Sequence, residues 1–299
     1  MTYVKHTPRG IAAYRPAGKG KVEVRPVEVS GPPVKYFGGK WSIAPWIIAT
    51  FPPHECYVEP FAGGASVLLR KPLSTIEVMN DLNNEVVNFF EILRNRPVEL
   101  VRAIELTPYA RAEYELSFEP TAEPLERARR FYVRNRSSFG AGEGKSRTGF
   151  RFQTDNSTRG TRIVDEWARV DNLLEAALRL KQVIIERDDA FAIMKRYDRP
   201  KTLFYVDPPY VWNTRSSADS YASELNDSDH GRLADTLKGL TGMVVLSGYR
   251  SALYDELYTG WQRIEREVAT NGKSKRVECL WLSPNTTRID RLPLFAQAA

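Results

Sequence analysis

The sequence predicts an open α/β sheet, doubly wound, that ends in an antiparallel hairpin and carries a mainly helical insertion. Three observations lead there. C-Y-V-E-P-F-A-G-G-A-S-V-L-L at 56–69 reads as a short strand, a glycine turn and a helix, the opening of a doubly wound sheet with a ligand at the strand's carboxyl end. The pattern breaks off after residue 90, reads as helices until about 181, then resumes as strand and helix in alternation. Two closing strands, 261–268 and 276–282, are joined by T-N-G-K-S-K and form a hairpin.

The elements follow in order. Residues 1–31 hold Pro8, Pro16, Pro26, Gly10, Gly18 and Gly20 among several cations and form a basic N-terminal arm. Order begins near Pro32. Tyr36, Gly38, Gly39 and Lys40 form a loop before a helix from Trp41 to about Thr50. The glycines let backbone amides face a ligand, and Lys40, at or just before the helix start, offers a cation to an anionic group. Strand Ile76–Asn80 ends in Asp81. An acidic residue at the second strand tip suits ribose hydroxyls, or else caps the helix that follows. Helices are expected at 97–106, 108–117, 124–137 and 161–179. Strand Val183–Glu186 precedes Asp188 and Asp189, and later elements are a helix near 229–240, a strand at 242–249 and a helix at 251–258.

The strand L-F-Y-V at 203–206 runs directly into Asp207-Pro208-Pro209-Tyr210. The prolines cannot donate a ladder hydrogen bond and fix their own φ near −65°. The result is a stiff tip carrying a carboxylate, a carbonyl and an aromatic ring.

Composition narrows the function classes. The chain has 299 residues, a formal charge of +6 and a pI of about 9.2. Residues 127–162 hold ten Lys or Arg against only Glu143 and Asp155. This Arg-rich stripe predicts a nucleic-acid contact. The loop 137–160 is too long for a plain connector and is rich in Gly, Ser, Thr and Arg. Cys56 and Cys279 are the two cysteines, in no metal or redox spacing, which predicts a disulfide-free cytoplasmic protein. There is no apolar run long enough for a membrane span. His6, His54 and His230 are scattered, so no metal site is expected.

Taken together, K-Y-F-G-G-K (35–40), V-E-P-F-A-G-G-A-S-V (58–67), N-D-L-N (80–83) and D-P-P-Y (207–210) resemble, in that order, the signature motifs of the DNA adenine methylase family. N-R-S-S-F-G (135–140) with the following G-F-R-F is similar to that family's DNA-contacting hairpin, and N-G-K-S-K-R-V-E (271–278) also matches. A later S-N-H-D-like segment is here S-G-Y-R (247–250). The resemblance spans roughly residues 34–290 and implies a Rossmann-like methyltransferase sheet. It divides the chain into a catalytic domain at 32–90 and 182–299, which binds S-adenosylmethionine, and an inserted target-recognition domain at 91–181.

The resemblance also assigns residues. Tyr36, Lys40, Asp81 and Asp207 are expected to contact the cofactor. Gly63 gives close approach to its methionine moiety, Glu59 holds the amino group, Phe61 packs beside it, and Asp188 lies near its adenine. Asp207, Pro208 and Tyr210 are the expected catalytic group. Arg130, Arg134, Asn135, Arg136, Ser138, Phe139, Lys145, Arg147 and Arg151 are the expected contacts to double-stranded DNA, made by a monomer.

The expected reaction moves a methyl group from S-adenosylmethionine to N6 of an adenine flipped out of the duplex. N4 of cytosine is an exocyclic amine of the same kind, and D-P-P-Y serves either. A DNA-binding homologue without catalysis is a third reading. C5-cytosine chemistry needs a cysteine nucleophile, and neither cysteine sits on an exposed catalytic loop.

Overall fold

The computed structural model describes residues 27–36, 38–139, 148–154, 162–209, 227–269 and 275–287. Tyr210, Lys145, Arg147 and most of the basic arm lie outside the described residues.

The strands are β1 (Cys56–Glu59), β2 (Ile76–Asn80), β3 (Val183–Glu186), β4 (Thr202–Val206), β5 (Met243–Tyr249), β6 (Gln262–Ala269) and β7 (Lys275–Leu282). They form a seven-stranded sheet in the order β3-β2-β1-β4-β5-β7-β6. The first five run parallel, and β7 enters antiparallel between β5 and β6. The expected hairpin end is therefore present. The order reverses between β1 and β4, so the switch point falls at the carboxyl end of β1, where such sheets take ligands.

Both faces of the central strands are covered, which explains the unbroken apolar run of β4, buried at all five positions. On one face pack α1 (Ala44–Ile48), α2 (Ser66–Arg70), α3 (Asn84–Asn95) and α8 (Asp171–Leu180), against Tyr57, Met79, Leu203 and Val245. On the other, α9 (Ala190–Tyr197), α10 (Asp227–Gly239) and α11 (Ala252–Leu257) cover Val58, Val78, Phe204 and Leu246.

Between β2 and β3 the chain forms α3 and α8 with α4 (Pro97–Glu105), α5 (Arg111–Leu116), α6 (Pro124–Ser137) and α7 (Ile163–Trp167) between them. The expected boundary at 90/91 falls inside α3. The reason is packing: Phe89 and Phe90 join one apolar cluster with Leu100, Phe131 and Ala176 from the later helices and Tyr57 from the sheet. The expected helix at 161–179 is two helices, α7 and α8. The first expected helix is also shorter, because α1 starts at Ala44 with Pro45 in its first turn.

A buried charge cluster ties these layers together. Glu77 on β2 accepts from Lys71, just past α2, at 2.5 Å and from Arg179 on α8 at 2.5 and 2.9 Å. Burial pushes the Glu77 carboxyl up, but the Arg179 and Lys71 cations more than reverse this and hold it below its ordinary value. All three side chains are almost fully buried. Removing one member strands the others without compensation. Glu77→Ala is expected to cost about 3–5 kcal/mol of folding stability. A urea denaturation midpoint unchanged from the wild type would refute it.

Candidate active site

Four strand tips converge at the switch point, and each delivers one polar group. β1 ends in Glu59, β2 in Asn80 followed by Asp81, β3 leads to Asp188, and β4 leads to Asp207. The cleft between them measures about 180 Å³ and is bounded by Tyr36, Lys40, Glu59, Phe61, Asp81 and Asp207. Gly63 and Asp188 border it as well. All eight residues expected to meet the cofactor are thus gathered in one place.

The turn after β1 is shaped by two contacts. Gly63 has φ +48°, which favours glycine. A Cβ there would also lie 2.5 Å from the Tyr36 ring, and at Gly64 it would lie 2.9 Å from the Tyr36 Cβ. The immediate demand on these glycines is therefore the Tyr36 side chain. The Gly63 amide donates to Asp81 Oδ2 at 2.8 Å, and the Asn83 amide to Asp81 Oδ1 at 2.8 Å. Burial raises the Asp81 carboxyl against the pull of these amides. Asp81 does not cap α3; Asn83 does, accepting from the Glu85 amide at 2.9 Å.

Asn80 went unnoticed as a site residue in the sequence, where it reads as the last residue of a strand. It is fully buried. Its side-chain amide donates to the carbonyls of Pro60 (2.9 Å) and Asp188 (3.0 Å), and its Oδ1 accepts from the Asp188 amide at 2.9 Å. Its own carbonyl accepts from Ala62 at 2.9 Å. One side chain thus fixes the loops after β1 and β3. The Asp188 carboxylate itself turns to Arg196 at 2.7 Å. Phe191 on α9 also borders the cleft, and the Arg232 guanidinium stands 4.0 Å from its ring centre.

Glu59 is 2% exposed and accepts from the Tyr57 hydroxyl at 2.6 Å. Burial, helped by the Asp207 charge, lifts its carboxyl to about 8 against the pull of Tyr57, a backbone amide and Lys71. Asp207 has a different setting. Its Oδ2 pairs with Lys40 at 2.9 Å, and its Oδ1 accepts from the Ser247 hydroxyl at 2.6 Å. Lys40 also donates to the Gly38 carbonyl at 2.7 Å. Lys40 lies just before α1 with its side chain 5% exposed, and the anionic group it faces is the carboxylate at the β4 tip. Ser247 sits opposite Asp207 on β5, and nothing beyond the S-G-Y-R segment marks it in the sequence.

The basic stripe is largely spoken for within the fold. Arg130 pairs with Glu126 at 2.7 Å and donates to the Glu119 carbonyl at 2.7 Å. Arg134 pairs with Glu85 at 2.8 Å and donates to the Ser117 carbonyl. A charge count along the segment misses these partners because they stand outside its sequence window. The positive excess survives at one corner, where Lys35 and Arg151 reach the Glu166 carboxylate at 3.3 and 2.5 Å and Arg136 donates to its carbonyl at 3.1 Å. Asn135 and Ser138 are buried, and Asn135 Oδ1 and Ser138 Oγ find no hydrogen-bond partner among the described residues. Phe139 is 48% exposed and Phe152 58%, and the two rings meet edge to face at 6.5 Å beside the Ser138–Phe150 bridge.

Among the described residues there is no cluster of His, Cys, Asp or Glu able to hold a metal, and no helix long and apolar enough to cross a membrane. Cys56 and Cys279 are free thiols.

Comparison with known proteins agrees with this geometry. The family model for D12 class N6 adenine-specific DNA methyltransferases matches residues 36–271. The chain is 25% identical over 259 residues to the DNA adenine methylase of Salmonella typhi, covering 81% of this chain and 91% of the relative. It is 24% identical over 259 residues to the DNA adenine methylase of Escherichia coli K12, with the same coverage. It is 28% identical over 275 residues to the Type II methyltransferase M1.LlaDCHI of Lactococcus lactis subsp. cremoris, covering 85% of this chain and 92% of the relative. A sheet whose strand tips bring together a carboxylate followed by two prolines, a buried acid and a glycine turn, matched over most of its length by one family, belongs to the D12 class of N6 adenine-specific DNA methyltransferases.

Proposed function

We propose that this DNA adenine methyltransferase takes its methyl group from S-adenosylmethionine held in the cleft at the switch point, and delivers it to an adenine flipped toward Asp207. The observation that carries this is the convergence of Glu59, Asp81 and Asp207 around one cleft with the Gly63–Gly64 turn between them. The residues suit the donor. Asp81 offers carboxylate lone pairs to ribose hydroxyls, Glu59 a buried acid to an ammonium group, and Phe61 and Phe191 apolar faces to a purine. When bound, the donor supplies an electrophilic sulfonium methyl.

The remaining work falls to this chain. Adenine N6 is a poor nucleophile because its lone pair is delocalised into the ring. The Asp207 carboxylate and the Pro208 carbonyl accept the two N–H groups and favour a tetrahedral nitrogen, whose lone pair is then free to attack the methyl carbon; the methyl–sulfur bond breaks with its electron pair going to sulfur, and the surplus N6 proton leaves by way of Asp207 to solvent. Catalysis rests on orientation and fixed electrostatics, with no covalent enzyme intermediate. Tyr210 follows directly as the ring on which the extruded base stacks. Asp207→Ala is expected to lower methyl transfer from tritiated donor by a factor on the order of 10³. Wild-type rates would sink this mechanism.

Glu59 sets a pH dependence. Its folded-state value of about 8 lies above the ordinary carboxylate value. The folded protein therefore holds this proton more tightly than the unfolded chain, and stability declines as pH rises through about 8. An ammonium group on the donor must displace the same proton. Donor affinity is expected to rise with pH, by up to about tenfold per unit, and level off above about 8. Glu59→Gln should weaken donor binding, flatten that profile and raise the melting temperature at alkaline pH. Calorimetric titration across pH checks the first two, and a flat wild-type profile would remove Glu59 from the donor site.

The DNA face is read from the corner holding Lys35, Arg136 and Arg151, next to the exposed Phe139 and Phe152. Of the expected DNA contacts, Arg136, Arg151 and Phe139 are the best placed to meet a duplex, through phosphates and through base stacking. Arg130 and Arg134 hold α6 in place, and Lys145 and Arg147, outside the described residues, are assigned to the DNA face on their sequence position alone. The chain acts as a monomer in the cytoplasm. Phe139→Ala is expected to weaken DNA binding about tenfold without lowering the melting temperature, since the ring is exposed. Fluorescence anisotropy with labelled duplex measures it, and unchanged affinity would take Phe139 out of the interface.

A further inference from the structure

The geometry points to Ser247, oriented by Tyr205, as the positioning residue that aims the Asp207 carboxylate at the target amine. This rests on Asp207 being the group that receives the amine. β4 pairs with β5 through Tyr205↔Val245 and Val206↔Leu246, so Asp207 lies opposite Ser247 just past the last paired rung. Tyr205 and Asp207, two residues apart, face the same side. The Tyr205 hydroxyl donates to Ser247 Oγ at 3.2 Å, and the Ser247 hydroxyl donates to Asp207 Oδ1 at 2.6 Å.

The direction of this chain matters. A serine hydroxyl has a single proton to donate. With Tyr205 supplying a donor from below, the Ser247 proton is committed upward to Asp207. Ser247 is 1% exposed and Tyr205 3%, so water does not compete for either group. The carboxylate torsion of an aspartate is soft and roughly two-fold. Lys40 on Oδ2 restrains one oxygen from a long stem. Ser247 restrains the other from a strand backbone. Held at both oxygens, the carboxylate keeps its remaining lone pairs in one direction, which is what an in-line attack by a positioned amine requires.

The test is single-turnover methyl transfer by the purified chain, with S-adenosylmethionine and genomic DNA from a strain lacking adenine methylation. Ser247→Ala is expected to slow the chemical step by roughly 10–100-fold, while the dissociation constants for S-adenosylmethionine and for DNA stay within about twofold. Ser247→Thr, which keeps the hydroxyl, should recover most of the rate. Tyr205→Phe should give a smaller loss, because the serine proton is then free to rotate. If Ser247→Ala does not fold by circular dichroism, Ser247→Cys takes its place and is expected to fall between alanine and wild type. An unimpaired rate in Ser247→Ala, or a loss of donor affinity equal to the loss of rate, overturns the inference. Asp207→Asn separates the two levels. If it is inactive while Ser247→Ala is not impaired, only the role of Ser247 falls. If it keeps the wild-type rate, the assignment of Asp207 falls and takes this inference with it.

Discussion

The cleft depends on one buried amide. Asn80 is shielded from water, so its donors and acceptor must find protein partners. It finds them in the loops after β1 and β3, and its backbone takes the Ala62 amide. Three strand tips are thereby fixed relative to one another before any ligand arrives. Asp81 is the next residue, and its carboxylate is held by amides on either side of the cleft floor. The ligand-facing groups are oriented by contacts that the ligand does not supply.

The two acids on the same sheet face are given opposite environments. Glu59 is buried beside tyrosines and carries a raised affinity for its proton. Asp207 is tied to a lysine. The Lys71–Glu77–Arg179 cluster beneath them keeps α2, β2 and α8 in register, so the strand leading to Asp81 and the end of the turn helix are braced from below.

Local signals made most of the fold legible. β1, β2, β3 and α6 begin and end where the apolar runs and turn residues place them. The strand order is in no local signal, because it depends on which strands pair across the sheet. The residues of the candidate cleft were legible because Glu59, Asp81 and Asp207 stand at strand ends within recognisable motifs. Asn80 and Ser247 were not legible, since a polar residue at a strand end looks like any other until its cross-strand partners are known. The charge of the Arg stripe is less free than it reads, because Glu85, Glu113 and Glu126, outside residues 127–162, pair with Arg134, Arg129 and Arg130. For Lys40 the sequence shows the position before a helix but not which carboxylate stands opposite.

The α3 helix has a consequence for how such a protein diversifies. Its first turn is capped within the N-D-L-N motif, its middle supplies Phe89 and Phe90 to a core shared with α6, and its far end opens directly into α4. A helix that serves both the sheet and the helical segment means that this segment is no detachable cassette. Exchanging residues 91–181 between relatives would cut through a buried aromatic cluster, since Phe89 and Phe90 would stay while Phe131 and Tyr132 left. Such a chain is therefore more cheaply varied one exposed position at a time than by swapping these helices as a block.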